Sequence, residues 1–285
     1  MPLVTLSNVL ERAGTEGYAV GTFNVFDHLS MAAVITAAAE MNSPVIVQTL
    51  PPVVHHWGAP AVAGWARILS HEHDRIPVVL HLDHGQDIGV IHQCIENGWT
   101  SVMIDASRHS LEENIRLTRA VVEEAHPRGI TVEGEIGAIF SVEDSEELRQ
   151  AANYLATCES CVAYVQETEV DALAPAIGTA HGLYKQTPRI DYDRLRRISE
   201  SLEIPVVIHG GTGLAQADFH ELLRSGATKI NIATQINLEY LEAVRSYLTS
   251  HPHTKDPLDL CTHAARRIKE KAIEFIGIFG SANKA

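Results

Sequence analysis

Residues 77–85 read Pro-Val-Val-Leu-His-Leu-Asp-His-Gly, an apolar β-branched run that turns polar at its end and stops at a glycine. The run predicts a strand over Pro77–Leu82, buried on both faces, whose carboxyl end emerges into a site. Similar runs recur at Ala19–Asn24, Pro44–Thr49, Ser101–Asp105, Thr131–Glu135, Ala172–Ile177, Pro205–His209 and Lys229–Ile232, spaced with room for one helix after each. Between them, Leu29–Met41, Leu111–Ala125 and Ala217–Ser225 place apolar residues at three- and four-residue intervals, as a helix packed on one face requires. Eight strands alternating with helices within 285 residues predict one α/β domain, a single (β/α)8 TIM barrel over residues 1–285. A doubly wound open sheet also alternates strands and helices, but no GxGxxG turn follows the first strand, and no low-complexity linker divides the chain.

Composition narrows the function. The chain is 45% hydrophobic, enough for a large core, and its 22 basic against 36 acidic residues leave a formal net charge of -14. That charge argues against nucleic acid and anionic membrane as partners, so an anionic substrate would need a local site. Met1–Arg12 lacks the basic and apolar blocks of a signal peptide, and no apolar run approaches the roughly 18 residues of a membrane span, which leads us to expect a cytoplasmic protein. The cysteines, at 94, 158, 161 and 261, are too scattered for a disulfide framework and suit a reducing compartment. Cys158-Glu-Ser-Cys161 has redox or zinc spacing, but it follows a helical run from Ser145 to Leu155 and has no second CxxC, so its spacing reads as coincidental.

In such barrels chemistry sits at the carboxyl ends of the strands, and here those ends are polar. They offer Asn24, the segment His81–Gly85, Asp105 with Ser107, Glu133 with Glu135, Gly178–Gly182, His209–Gly213 and Asn231–Thr234. All converge on one mouth, which makes Asn24, Asp105 and Ser107 candidates for substrate contacts. Among 16 histidines, His55, His56, His71 and His73 fall in helical or loop stretches and read as solvated surface. His84, His181 and His209 each follow a separate apolar strand and precede a glycine. One strand-end histidine is accounted for by a hydrogen bond to a neighbouring loop. Three together, with open positions left over, are a catalytic zinc arrangement.

These residues carry a resemblance. The runs HLDHG (81–85), MIDAS (103–107), VEGEIG (132–137), AIGTAHGLY (176–184), HGGTG (209–213), KINIAT (229–234) and FGSAN (279–283) span nearly the whole chain in order. The chain resembles the class II ketose-bisphosphate aldolases, and the tagatose-bisphosphate branch most. The resemblance implies a lyase that reversibly cleaves a ketose 1,6-bisphosphate, tagatose or fructose, to dihydroxyacetone phosphate and glyceraldehyde 3-phosphate. It implies one catalytic Zn2+ per subunit on His84, His181 and His209, with Glu135 beside it as an alternative ligand, and it admits a monovalent cation, Na+ or K+. Asp83 would be the general acid/base at the C4 hydroxyl, and Glu143, in a segment matching the family's mobile loop, would move the C3 proton. Gly182, Gly210, Gly211, Thr212, Asn231, Ala233 and Thr234 would hold the dihydroxyacetone phosphate half, with Lys185 adding a charge. A homo-oligomer, dimer or tetramer, is the expected assembly.

The chemistry requires such a set. Breaking the C3–C4 bond leaves a carbanion beside a carbonyl, and a metal holding the adjacent oxygens spreads the charge as an enediolate. Glycine-rich strand ends can bind phosphate through backbone N–H groups where the surface is acidic. Two positions depart from the family pattern. Phe140-Ser141 replaces a usual Gly-Gly pair ahead of the loop, and Leu50 stands where relatives tend to carry Ser or Thr, leaving the residues for the second phosphate unread. Other classes carry distinct expectations. A Schiff-base aldolase needs a barrel lysine, and Lys229 reads as the start of a strand; a zinc hydrolase on the same fold would not need Glu143; a non-catalytic barrel would lose site residues.

Overall fold

A computed structural model describes residues 3–144, 154–184 and 187–285. Eight parallel strands close into a barrel in chain order: β1 (Val20–Asn24), β2 (Val45–Thr49), β3 (Val78–Gly85), β4 (Ser101–Ile104), β5 (Thr131–Ile136), β6 (Ala172–Pro175), β7 (Val206–Ile208) and β8 (Ala227–Ile232). The ring closes where β1 pairs with β8, from Val20 opposite Lys229 to Phe23 opposite Ile232. The expected single (β/α)8 barrel is therefore the observed fold.

Helices follow the strands on the outside. The run expected at Leu111–Ala125 is a helix with those bounds, started by Ser110, whose hydroxyl accepts the Glu113 N–H. The run at Leu29–Met41 is observed as His28–Glu40, because Asp27 caps it by accepting the Ser30 N–H at 2.8 Å. That at Ala217–Ser225 is observed as Gln216–Arg224. Most of the run from Ser145 to Leu155 lies outside the described residues. Cys158 opens a helix at Cys158–Thr168, where Thr157 is the cap, and both it and the buried Cys161 are free thiols.

Several strands differ at their ends from the sequence reading: β6 stops at Pro175, two residues short of Ile177, and β7 at Ile208, one short of His209, while the differences in β3 and β8 reshape the site. β3 runs three residues beyond Leu82, because its register against β4 shifts between Leu82 and Gly85 and takes Asp83 and His84 into the strand. His84 has a left-handed backbone, φ 49°, which a side chain other than glycine adopts only at a cost. β8 begins at Ala227, so Lys229 is its third residue and not its first.

Alternation along the strands builds the barrel interior in tiers. Its floor is apolar: Val20, Ile46, Val79, Ala172, Ala174 and Val207 pack against Leu6, Val9, Leu10 and Ala13 of the N-terminal helix α1 (Leu6–Glu16), which plugs the amino-terminal end. The Leu6 N–H donating to Thr131 Oγ1 and the Val4 N–H donating to the Val78 carbonyl tie this plug to β5 and β3. Above the floor the interior turns ionic, with Gln48, His81, Glu133 and Lys229 all fully buried. The larger apolar core lies between the outer faces of the strands and the helices.

Candidate metal and active site

The carboxyl ends of the strands open into a cavity of about 400 Å³, within the range of small-ligand pockets. It is lined by Asn24, Asp83, His84, Asp105, Ser107, Glu135, His181, Gly182, Gly210, Thr212, Asn231, Ala233 and Thr234, all singled out in the sequence. Gln86, Arg108 and Asp144 also line it and carry no motif signal.

The three histidines come together. Their rings lie 4.8 Å (His84 to His181), 4.7 Å (His84 to His209) and 6.0 Å (His181 to His209) apart, and one nitrogen from each falls within 4.8 Å of the others. Each is oriented from outside. His84 Nδ1 donates to Asp105 Oδ2 at 3.0 Å, and Asp105 is itself held by Ser107 Oγ at 2.7 Å and Gln86 Nε2 at 3.3 Å. His209 Nε2 donates to Glu133 Oε1 at 2.9 Å. The backbone of His181 is laced to the next loop, its N–H donating to the Phe140 carbonyl and its carbonyl accepting from the Val142 N–H, both at 2.8 Å.

Those bonds decide which nitrogens remain. His84 Nε2 and His209 Nδ1 are buried and have no hydrogen-bond partner, as is Glu135 Oε2, which lies 3.3 Å from His209 Nδ1. Orphaned buried imidazole nitrogens are costly unless an ion takes their lone pairs, so the donor set fits a divalent metal. His84, Asp105 and Glu135 form a second, overlapping group of donors, which puts Glu135 within reach of an ion as an alternative ligand. A third group, His92, Glu96 and Glu124, lies on the outer surface, where Arg128 already pairs with Glu96.

Electrostatics sort the site by charge. Burial would raise the Asp83 carboxyl, but His84, His209, Lys229 and the amide of Asn24 outweigh it and hold it below its ordinary value. Burial would lower His84; Asp83 and the bonded Asp105 overcome it and push the imidazole up to about 10. His181 goes the other way, down to about 3, because burial is reinforced by His84 and His209. Asp105 is held far below the carboxylate range, its burial outweighed by the bond to His84. Without an ion, the site thus sets charged carboxylates around His84 and His209, which burial would lower but the acids bonded to them push toward the protonated form, while His181 is pushed away from it.

Asp83 is a fixed acceptor. It is 3% exposed and takes Asn24 Nδ2 on Oδ2 at 2.8 Å and Asn231 Nδ2 on Oδ1 at 3.2 Å, while Gln48 Nε2 donates to Asn24 Oδ1 at 2.7 Å. Gln48 was not singled out in the sequence; its inward place in β2, two residues from the buried Ile46, was the available signal. Lys229 is fully buried in the tier beneath the cavity, with Nζ committed to Glu133 and Asn231. It does not line the cavity, which removes it from the position a Schiff-base nucleophile needs.

On the far rim, Ala233 caps and Thr234 begins a 17-residue helix, placing a helix amino terminus at the cavity. Gly210 has φ 73°, and a Cβ there would collide with the backbone of Ala180. Gly211 packs beneath the cavity wall, where a Cβ would meet the Asn231 carbonyl at 2.9 Å. Thr212 contributes a buried Oγ1 with no partner. Lys185 lies outside the described residues. Glu143 is exposed in the turn at 141–144, its N–H donating to Ser141 Oγ at 3.2 Å, and its neighbour Asp144, which accepts the Ser141 N–H at 2.8 Å, reaches the cavity instead. Both departures from the family pattern sit at the mouth: Leu50 is 37% exposed, and Phe140 packs edge-on against Tyr154 at 5.3 Å.

Comparison with known proteins agrees with the geometry. The family model for "Fructose-bisphosphate aldolase class-II" matches residues 4–284. A probable fructose-bisphosphate aldolase of Bacillus subtilis is 38% identical over 287 residues, covering 100% of both chains, and a fructose-bisphosphate aldolase of Geobacillus stearothermophilus is 36% identical, covering 100% of this chain and 99% of that one. Among solved structures, the YdjI aldolase from Escherichia coli superimposes with a TM-score of 0.87 at 30% identity, covering 99% of each chain. A match over almost the full length, on a barrel whose mouth gathers these histidines and carboxylates, shows that the chain belongs to the class II fructose-bisphosphate aldolase family.

Proposed function

We propose that this aldolase reversibly cleaves a ketose 1,6-bisphosphate, fructose or its C4 epimer tagatose, to dihydroxyacetone phosphate and glyceraldehyde 3-phosphate. The observation that carries the reading is the convergence of His84, His181 and His209, with two buried nitrogens lacking partners, beside the fixed carboxylate of Asp83. His84, His181 and His209 would hold a zinc ion, which would supply Lewis acidity toward the charge left at C3 when the C3–C4 bond breaks. Asp83, ionised and clamped by two amides, accepts the C4 hydroxyl proton during cleavage and returns it during condensation. Glu143, brought inward by movement of the turn at 141–144, transfers the proton at C3. Backbone N–H groups at Gly182, Gly210 to Thr212 and Ala233 to Thr234 receive the C1 phosphate, aided by the amino terminus of the helix starting at Thr234 and by Lys185.

Wider features of the reading follow from the resemblance and the charge. A net charge of -14 supports a small phosphorylated substrate in place of nucleic acid or membrane, and no helix among the described residues is long and apolar enough to cross a membrane. We assign the enzyme to cytoplasmic carbohydrate metabolism, at the aldol step of glycolysis or of a related sugar route, as a homodimer or homotetramer. The family resemblance also admits Na+ or K+ as a second ion. The relatives' names favour fructose. Assaying fructose and tagatose 1,6-bisphosphates in parallel by triose phosphate release, with zinc supplied, decides the sugar. Cleavage of neither would overturn the substrate class.

A further inference from the structure

We propose that Lys229 is the positioning residue of this site, joining the metal ligand His209 to the base Asp83 through one buried ammonium. The inference rests on the proposed metal site. Lys229 Nζ lies 2.9 Å from Glu133 Oε2 and donates to Asn231 Oδ1 at 2.9 Å. Each partner passes the contact on: Glu133 Oε1 accepts from His209 Nε2 at 2.9 Å, and Asn231 Nδ2 donates to Asp83 Oδ1 at 3.2 Å. From the lysine, two short chains thus run upward into the cavity, one ending on a ligand and one on the base.

Orientation at both ends follows from the charge at the centre. A carboxylate at Glu133 can only accept, so Nε2 of His209 is the donor to it, and Nδ1, 3.3 Å from Glu135 Oε2, is the nitrogen turned to the metal site. The ammonium sits 2.9 Å from Glu133 Oε2, and with both side chains fully buried it is the countercharge to this carboxylate. Asn231 has two ways to place its amide. A donor against its Oδ1 leaves only the orientation in which Nδ2 points to Asp83. His81 is the remaining group against this carboxylate, with Nε2 3.7 Å from Glu133 Oε2, but it is held by Ser101 and kept neutral, down to about 3, by burial and by Lys229. Lys229 is therefore the cation on which the arrangement turns.

Packing alone does not call for it. Lys229 and Glu133 are 0% exposed, and a buried ion pair of this kind is often no more stable than well-packed apolar residues of the same size. The tier below is filled by Ile46, Val79, Ala172, Ala174 and Val207, so apolar side chains already serve this barrel where no function intervenes. The expensive pair occurs one tier higher, where its other contacts lead to His209 and Asp83.

Three variants separate positioning from packing: Lys229→Met, Glu133→Gln, and the double change Lys229→Met with Glu133→Leu, which removes the whole pair. Each is prepared metal-free and titrated with Zn2+ against a chromophoric chelator, loaded with Co2+ for its visible spectrum, and assayed for kcat across pH. Both single variants should bind zinc about 10- to 100-fold more weakly, as loss of groups that orient ligands does, with an altered Co2+ spectrum and a displaced acid limb of the kcat profile. The double variant should recover the wild-type Tm, having no unpaired buried charge, yet keep the weakened affinity and turnover. Wild-type zinc affinity and kcat in the double variant would reduce the pair to packing and overturn the proposal. Should that variant not fold, Glu133→Gln decides, because it preserves shape: wild-type affinity and an unchanged Co2+ spectrum overturn the proposal equally. The wild type and His181→Ala serve as controls. A wild type that takes up no stoichiometric zinc, or a His181→Ala that binds as well, would overturn the metal site itself; tight wild-type binding matched by all three variants overturns the lysine's role alone.

Discussion

Replacing Asp83 with asparagine changes one oxygen into an NH2 group at a point where the structure offers only donors. Asp83 accepts from Asn24 at 2.8 Å and from Asn231 at 3.2 Å, so whichever way the new amide turns, one of these amides meets another donor. Losing one bond to a charged acceptor costs roughly 1.5–3 kcal/mol. At about 2–4 °C per kcal/mol for a chain of this size, Tm should fall by roughly 3–12 °C, leaving a folded protein at assay temperature. The three imidazoles remain in place, but a negative charge 3.9 Å from His84 Nε2 is gone, so zinc is supplied in excess and its occupancy is measured directly. At full occupancy the amide cannot take the C4 hydroxyl proton, and kcat for ketose bisphosphate cleavage, read as triose phosphate release, should drop about 10²- to 10⁴-fold. A kcat within about tenfold of wild type at full occupancy refutes the assignment and moves the proton transfer elsewhere. Zinc lost even in excess would make Asp83 a support of the histidines.

Chelation should abolish activity and Zn2+ or Co2+ restore it; full turnover in a verified metal-free preparation would sink the metal reading. Burial lowers His84, but Asp83 and Asp105 raise it to about 10, above the ordinary value. Protonated His84 therefore stabilises the metal-free fold fully below about pH 6.5, and that contribution fades as pH rises through 10. Zinc must displace the same proton, so its affinity should climb about tenfold per pH unit between about pH 7 and 9, and a flat profile would contradict this charge assignment. Glu143→Ala should slow solvent exchange of the dihydroxyacetone phosphate proton without altering zinc content; unchanged exchange points to another acid, with Asp144 nearest to hand. Dihydroxyacetone without its phosphate should be a poorer donor by at least about 10³-fold in kcat/KM, because several backbone donors would lose an anion. Two donors within tenfold of each other would make those glycine-rich ends plain turns.

What could be read from sequence, and what could not, divides along physical lines. Strands and helices were legible because burial on both faces writes continuous β-branched runs and burial on one face writes a helical period, so Leu111–Ala125 was found with its observed bounds. His84, His181 and His209 stood out because each combines a strand end with a following glycine. The ends of β3 and β8 were misjudged for opposite reasons. A polar His-Leu-Asp-His run hides a strand that continues through a register shift, and Ala227-Thr-Lys does not look apolar although all three residues are buried. The same blindness hid the ionic tier: Gln48, Glu133 and Lys229 come from three strands far apart in sequence, and only closure of the barrel shows that they meet. Glu143 illustrates the remaining limit, since its role comes from the resemblance alone and the structure leaves it exposed, outside the cavity lining.

Closure of the ring between β1 and β8 also bears on how the protein comes to be made. These strands lie near opposite ends of the chain, so as it is synthesised β1 emerges early with an open edge and waits for nearly all the remaining sequence. Joining such distant segments carries an entropic penalty before any pairing repays it, and non-local pairings of this kind slow folding in general. The last strand to arrive brings Lys229 and Asn231, and with them the contacts that aim His209 and Asp83. A nascent chain can thus expose all three histidines before it can arrange them.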